Sequence, residues 1–131
     1  MEGLEGYARK NVKGKPIYLQ KEQAEIILAQ FQETAEYRHW RLLAVAIMPN
    51  HFHIVVGVQG DPDANTLLRD FKSYASRALN RRWGKPDSET WWTESGSRRK
   101  LPNEEAVRQA IEYVRNQPNA LLVRIAGERG A

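Results

Sequence analysis

The sequence predicts an α+β fold, an antiparallel sheet with helices packed on one face, and three observations predict it. Two apolar runs, His39 to Met48 and His51 to Val58, flank a Pro49-Asn50 pair, the pattern of two strands joined by a turn. Leu67, Leu68, Phe71, Tyr74, Ala75, Ala78 and Leu79 form one stripe at helical spacing from Ala64 to Trp83, and Gly84 followed by Pro86 stops it. Helical patterns are interspersed with short strands along the chain, with no repeat, linker or low-complexity segment to divide it.

Taken in order, residues 1–20 are rich in Gly, Lys and Arg, and their only strand-like piece is Pro16-Ile17-Tyr18-Leu19-Gln20. This N-terminal segment is therefore expected to be poorly defined. Lys21 to about Tyr37 reads as a helix, because Ala24, Ile27, Leu28 and Phe31 fall at i, i+3, i+4 and i+7. The central hairpin follows, with His39 as a strand-edge residue, and Gly60-Asp61-Pro62-Asp63 closes it. The long helix then carries a polar, largely basic outer face of Arg69, Lys72, Ser73, Ser76, Asn80 and Arg81. Trp91 to Leu101 reads as a strand, a tight polar turn and a basic return strand. Asn103 suits the N-cap of a third helix, with Glu104 and Glu105 in its first turn. Its stripe is Val107, Ala110, Ile111 and Val114, and Pro118 ends it by Gln117. Ala120 to Ile125 is apolar and adds a strand or a further helical turn.

The 131 residues suit one domain covering the whole chain. There is no apolar run of about 18 residues to span a membrane, and the N-terminus lacks a signal-peptide core, so the expected location is the cytoplasm. No cysteine is present, which excludes disulfides, a thiolate nucleophile and Cys-type zinc sites. Twenty Lys and Arg against 16 Asp and Glu give a net charge of +4, a mild excess that permits nucleic acid as a partner without establishing it.

The chemistry gathers at two places. His51 and His53 alternate along a strand, so both imidazoles face one side, about 6–7 Å apart, while Phe52, Ile54 and Val56 face the other. Converging imidazoles suit a divalent ion, although two histidines on a solvated face are the plain alternative. On the third helix Tyr113 and Gln117 lie four apart at the edge of the apolar stripe, where a tyrosine packs its ring and exposes its hydroxyl and a glutamine offers an amide oxygen. Tyr74 is the rival hydroxyl, but its place in the middle of the long helix's stripe favours core packing. Trp91 and Trp92 alternate faces, so one is expected in the core and the other against a base. Arg98, Arg99 and Lys100 beside them are candidates for phosphate contact or for plain solvation. Asn50 and Asn116 fit turn and cap roles, or orient a ligand from behind.

These residues together resemble the single-tyrosine HUH transposases, in particular the REP-associated tyrosine transposase group. The resemblance is carried by Met48-Pro49-Asn50-His51-Phe52-His53, by Phe71-Lys72-Ser73-Tyr74 with Arg77 and Asn80, by Trp91-Trp92-Thr93-Glu94-Ser95-Gly96-Ser97-Arg98-Arg99, and by Ala110-Ile111-Glu112-Tyr113-Val114-Arg115-Asn116-Gln117. It covers roughly residues 40–118. It implies a ferredoxin-like sheet of the RNA-recognition type, with the histidines on a central strand. It also implies a divalent ion, Mg2+ or Mn2+, held by His51, His53 and Gln117, and Tyr113 as the nucleophile. The family's reaction on single-stranded, hairpin-bearing DNA leaves a 5′-phosphotyrosine and a free 3′-hydroxyl. The family's site is commonly completed across a homodimer, with the tyrosine helix donated by the partner, while some relatives act as monomers, so both states stay open; the protein would be nucleoid-associated when bound. Two readings from other classes stand beside this one: a non-catalytic nucleic-acid-binding module, and a metal-dependent phosphodiesterase that uses water.

Overall fold

The computed structural model describes residues 2–9, 18–87, 90–92 and 98–128. Its elements run β1 (Glu2–Arg9), α1 (Lys21–Arg38), β2 (Arg41–Met48), β3 (His51–Val58), α2 (Ala64–Trp83), β4 (Arg98–Leu101), α3 (Glu104–Arg115) and β5 (Leu122–Ile125). The strands form one sheet in the order β4-β1-β3-β2-β5, and each neighbouring pair is antiparallel. The α+β expectation holds, and β3 takes the central position.

Each helix starts where the sequence supplies a polar cap. The Gln20 backbone N–H donates to Gln23 Oε1 at 2.9 Å ahead of α1. Asp63 accepts from the Asn65 backbone and the Thr66 hydroxyl, both at 3.2 Å, ahead of α2. Asn103 accepts from the Ala106 backbone at 2.9 Å ahead of α3, where Glu104 and Glu105 complement the helix dipole. Gly84, with φ of 77°, closes α2 as expected. His39 departs from expectation. It is the left-handed cap of α1, with φ of 61° and its N–H turned back to the last carbonyls, so β2 begins only at Arg41.

Both faces of the sheet are covered. Val45, Ile47, Phe52, Ile54, Val56 and Val58 pack against α1 and α2, where Phe31 meets Phe52 and Phe71 edge-on at 5.0 and 5.2 Å. Ala44, Ala46, Met48 and Val55 face the other way and bury Ala110 and Val114 of α3. Helices on one face therefore describe α1 and α2 only. The amphipathic stripe of α3 must be buried somewhere, and the small side chains of this second face let it lie close.

That closeness explains the first strand. β1 carries two glycines and two glutamates in eight residues, a composition poor in strand formers, yet it pairs with β3 along its whole length and with β4 on its other edge. Gly3 sits under α3, where an added Cβ would lie 2.6 Å from Val107 Cγ2. The sequence pattern pointed instead to Pro16–Gln20. Of that stretch, Pro16 and Ile17 lie outside the described residues, and Tyr18 to Gln20 form no strand. Leu19 is buried, and its N–H donates to the Pro49 carbonyl at 2.8 Å, so this piece docks under the β2–β3 turn.

The basic return strand exists as β4, but it pairs with β1 rather than with the tryptophan segment, whose Trp91 and Trp92 are bends and not strand. The expected turn at 93–97 lies outside the described residues. The apolar tail becomes β5, paired with β2.

Gly3→Ala should destabilise the protein by about 1–3 kcal/mol, because β-branched Val107 has little rotamer freedom to yield. Urea unfolding measures this, and Val107→Ala in the same chain should return part of the loss.

Candidate active site

The period of two along β3 puts His51 and His53 on the α3 face, opposite Met48 and Ala46 of β2. Their ring centroids are 5.2 Å apart at 82°. On α3, Ala110 and Val114 are buried and hold the helix against the sheet, which leaves Tyr113 at the margin of the contact. Its ring meets His53 edge-on, 5.5 Å between centroids, and it keeps 55% of its surface exposed. The structure thus brings His51, His53 and Tyr113 together within one chain, with the tyrosine reachable from solvent.

The electrostatics of the pair differ. His53 is buried, and desolvation, reinforced by the neighbouring His51, pushes its pKa down from 6.5 to about 4. It is neutral at pH 7. His51 Nδ1 lies 2.6 Å from Asn50 Oδ1, so the tautomer that donates from Nδ1 carries its lone pair on Nε2. Two imidazoles on one face, His53 neutral and His51 oriented from behind by an amide, fit a divalent ion. Among the described residues no group of three or more His, Cys, Asp and Glu could hold a metal.

Gln117 is the amide at hand. It lies just past α3, and its Nε2 donates to the Tyr113 carbonyl at 3.1 Å. Its Oε1 is the atom that could meet a metal. Asn116 is the exposed C-cap of α3, with its backbone N–H turned to Glu112 and Val114.

Other expected contacts lie elsewhere. Trp91 and Trp92 are both buried, on the α1/α2 side. Trp91 Nε1 donates to Asn80 Oδ1 at 2.7 Å, Trp92 Nε1 to the Lys72 carbonyl at 3.2 Å, and the Trp92 ring packs edge-on against Phe52. The expectation that one would stack on a base is corrected: both indole N–H groups find partners on α2, and that satisfies them in the core. Tyr74 is half-buried on the same side with Arg77 over its ring, on the sheet face away from the histidines. Arg99 is paired with Glu5 at 2.9 Å and Lys100 with Asp61. Arg98 lies on β4, but its side chain is outside the described part of the structure.

Sequence reasoning passed over what β1 brings. Its register sets Tyr7 opposite His53 and Arg9 opposite His51, and it supplies the Glu5 that neutralises Arg99. No local signal carries such a pairing, since Glu5 and Arg99 are 94 residues apart.

The family model described as IS200-like transposase matches residues 11–117. Two solved structures share the fold. One is a REP-associated tyrosine transposase bound to a REP hairpin, at 16% identity and a TM-score of 0.63, with 86% of this chain and 63% of that one aligned. The other comes from Deinococcus radiodurans R1, where its assignment as a transposase is provisional, at 19% identity and a TM-score of 0.66, with 89% and 90% aligned. This chain therefore spans less than two thirds of the hairpin-bound protein. No curated protein sequence matches it.

The His53 shift has a consequence for stability. Between pH 6.5 and about 4 the unfolded chain holds a proton on this residue that the folded chain does not. Stability contributed above pH 6.5 is therefore lost as pH falls through that window. The unfolding free energy of EDTA-treated protein, from urea titrations, should drop across it by an amount on the order of 2 kcal/mol, and His53→Gln should flatten the slope. An unchanged slope in His53→Gln would assign the acid sensitivity to another group.

Proposed function

This chain belongs to the IS200-like transposase family, and we propose that it is a single-stranded DNA strand transferase in which Tyr113 attacks a phosphodiester beside its own chain's His51 and His53. The observation that carries the reading is the edge-on contact of the exposed Tyr113 with buried His53. A reactive hydroxyl and the imidazole pair lie on one face of one chain. Tyr74, the competing hydroxyl, belongs to the opposite side of the sheet.

In the proposed step the Tyr113 phenol gives up its proton and its oxygen bonds to phosphorus. The bond from phosphorus to the 3′-oxygen breaks, and that oxygen leaves as a 3′-hydroxyl after taking up a proton. The product is a 5′-phosphotyrosine, and a second 3′-hydroxyl reverses the step without ATP because the ester keeps the bond energy. A bound Mg2+ or Mn2+ supplies charge stabilisation for the pentavalent transition state. His51 and His53 would hold it, Asn50 fixes the tautomer of His51, and Gln117 would join through its amide oxygen. Asn116 serves as the helix cap, next to that turn.

Hairpin-bearing single-stranded DNA is the proposed substrate, by analogy with the REP-associated relative solved on a REP hairpin. Its backbone would be met from β4. Arg99 and Lys100 are exposed and would exchange their carboxylates for phosphates, a contact that weakens as salt rises. Arg98 shares their strand. No helix among the described residues is long and apolar enough to cross a membrane, and a protein at work on such DNA would sit with the nucleoid.

A denaturing gel of protein with labelled hairpin DNA and Mn2+ tests this. Wild type should form a covalent adduct, while Tyr113→Phe and His51→Ala should lower adduct formation by about a thousandfold or more. Cleavage without an adduct would mean that water is the nucleophile, and DNA binding without cleavage would reduce the protein to a binding module.

A further inference from the structure

Among the described residues four large apolar side chains are exposed: Tyr18, Tyr37, Trp83 and Tyr113. One such residue by itself needs no explanation. Three of these four, however, gather at one end of the molecule. The Leu19 N–H reaches the Pro49 carbonyl at 2.8 Å, which sets Tyr18, 61% exposed, beside the β2–β3 turn that leads into His51. Arg82 reaches Glu22 at 3.8 Å, which brings the last turn of α2 to the same end, and with it Trp83, 38% exposed. Tyr113 stands against His53 on the α3 face. Around Tyr18 and Trp83 the exposed charges are Lys21, Arg81, Arg82 and Lys85 against Glu22 and Asp87. The Arg82 guanidinium lies over the Trp83 ring, 4.9 Å from its centroid. The chemistry at Tyr113 uses none of these groups.

Trp83 is unlike Trp91 and Trp92. Those two indoles donate to α2 partners in the core, whereas Trp83 ends α2 with its ring at the surface. Arg81 and Arg82 complement the negative end of the helix dipole. That role requires neither an aromatic ring between them and Lys85 nor a second ring at Tyr18. We infer that Tyr18, Arg81, Arg82, Trp83 and Lys85 form a track for the unpaired DNA strand that flanks the scissile phosphate, with bases stacked on the two rings and phosphates on the cations. Charge alone suits any polyanion. Flat rings set among cations suit the one whose every repeat carries a flat apolar face. The Arg82–Glu22 pair is long and exposed, so exchanging its carboxylate for a phosphate costs little. The strand leaves Tyr113 and His51, passes the Pro49-Asn50 turn at Tyr18, and continues round the end of the sheet to Trp83. Tyr18 and Trp83 are then residues that select which strand is drawn past the site, while bond making stays at Tyr113. The inference rests on the strand-transferase reading of the site.

Fluorescence anisotropy of the Tyr113→Phe chain in EDTA tests it, since neither adduct nor metal then contributes to binding. The probes are a labelled bare hairpin and the same hairpin with about eight unpaired nucleotides on each side. The flanked probe should bind more tightly. In this background Tyr18→Ala and Trp83→Ala should each weaken it by about tenfold, and change the bare hairpin by less than about twofold. Tyr18→Phe and Trp83→Phe keep a ring to stack on and should retain most of the affinity. Arg81→Ala/Arg82→Ala should make the plot of log affinity against log salt shallower by about 1.4, at about 0.7 for each of two single-strand phosphates. Equal binding of the two probes by the parent chain, or alanine variants that hold the flanked probe as tightly as the parent, would overturn the track. An equal loss on both probes would overturn it as well, because the rings would then support the fold or the hairpin. The adduct gel separates this from the catalytic reading: a wild-type adduct with no dependence on the flanks defeats the track alone, and flank-dependent binding with no adduct defeats the strand-transfer reading alone.

Discussion

The structure depends on one strand that is buried on both sides. β3 lies at the centre of the sheet, hydrogen-bonded to β1 and β2 along its length, so its register is fixed from two directions. A slip of one residue would turn Phe52, Ile54 and Val56 toward α3 and His51 and His53 toward α1 and α2. The packing of Phe52 against Phe31 and Trp92 therefore also aims the histidines. Core stability and site geometry are two consequences of one alternation.

The second consequence of that alternation is α3. The face of β3 that bears the histidines continues into Val55 and Gly57, and together with Gly3, Ala44 and Ala46 it makes a shallow bed for a helix. Seating the helix there brings Tyr113 to His53 within the same chain. Family membership is established by a match over residues 11–117, and the assembled trio supplies what membership alone does not, a specific hydroxyl at a specific imidazole.

Much of this was legible in the sequence, for physical reasons that differ by element. Helix α2 announces itself through a long stripe and a glycine stop, and it is found from Ala64 to Trp83 as read. The histidine pair and the Tyr113–Gln117 spacing are local, so periodicity alone places them. Strand β1 was not legible, because Glu2–Arg9 is poor in strand formers and owes its conformation to partners some 50 and 100 residues away. The one-sided sheet was misread for a similar reason: the stripe of α3 shows that it packs, not on which face. Trp91 and Trp92 look like a stacking platform by type, and only the positions of Asn80 and the Lys72 carbonyl show that α2 holds them in the core. The partners of the charge run are equally remote, since Glu5 and Asp61 pair with Arg99 and Lys100 from distant parts of the chain.

The most direct measurement is to digest a trapped protein–DNA adduct and identify by mass spectrometry which residue carries the nucleotide. The account predicts a phosphonucleotide on Tyr113, formed equally when the protein is dilute enough to be monomeric, because the tyrosine and the histidines belong to one chain. A nucleotide on Tyr74, or an adduct that forms only by complementation between a Tyr113→Phe chain and a His53→Gln chain, would contradict it.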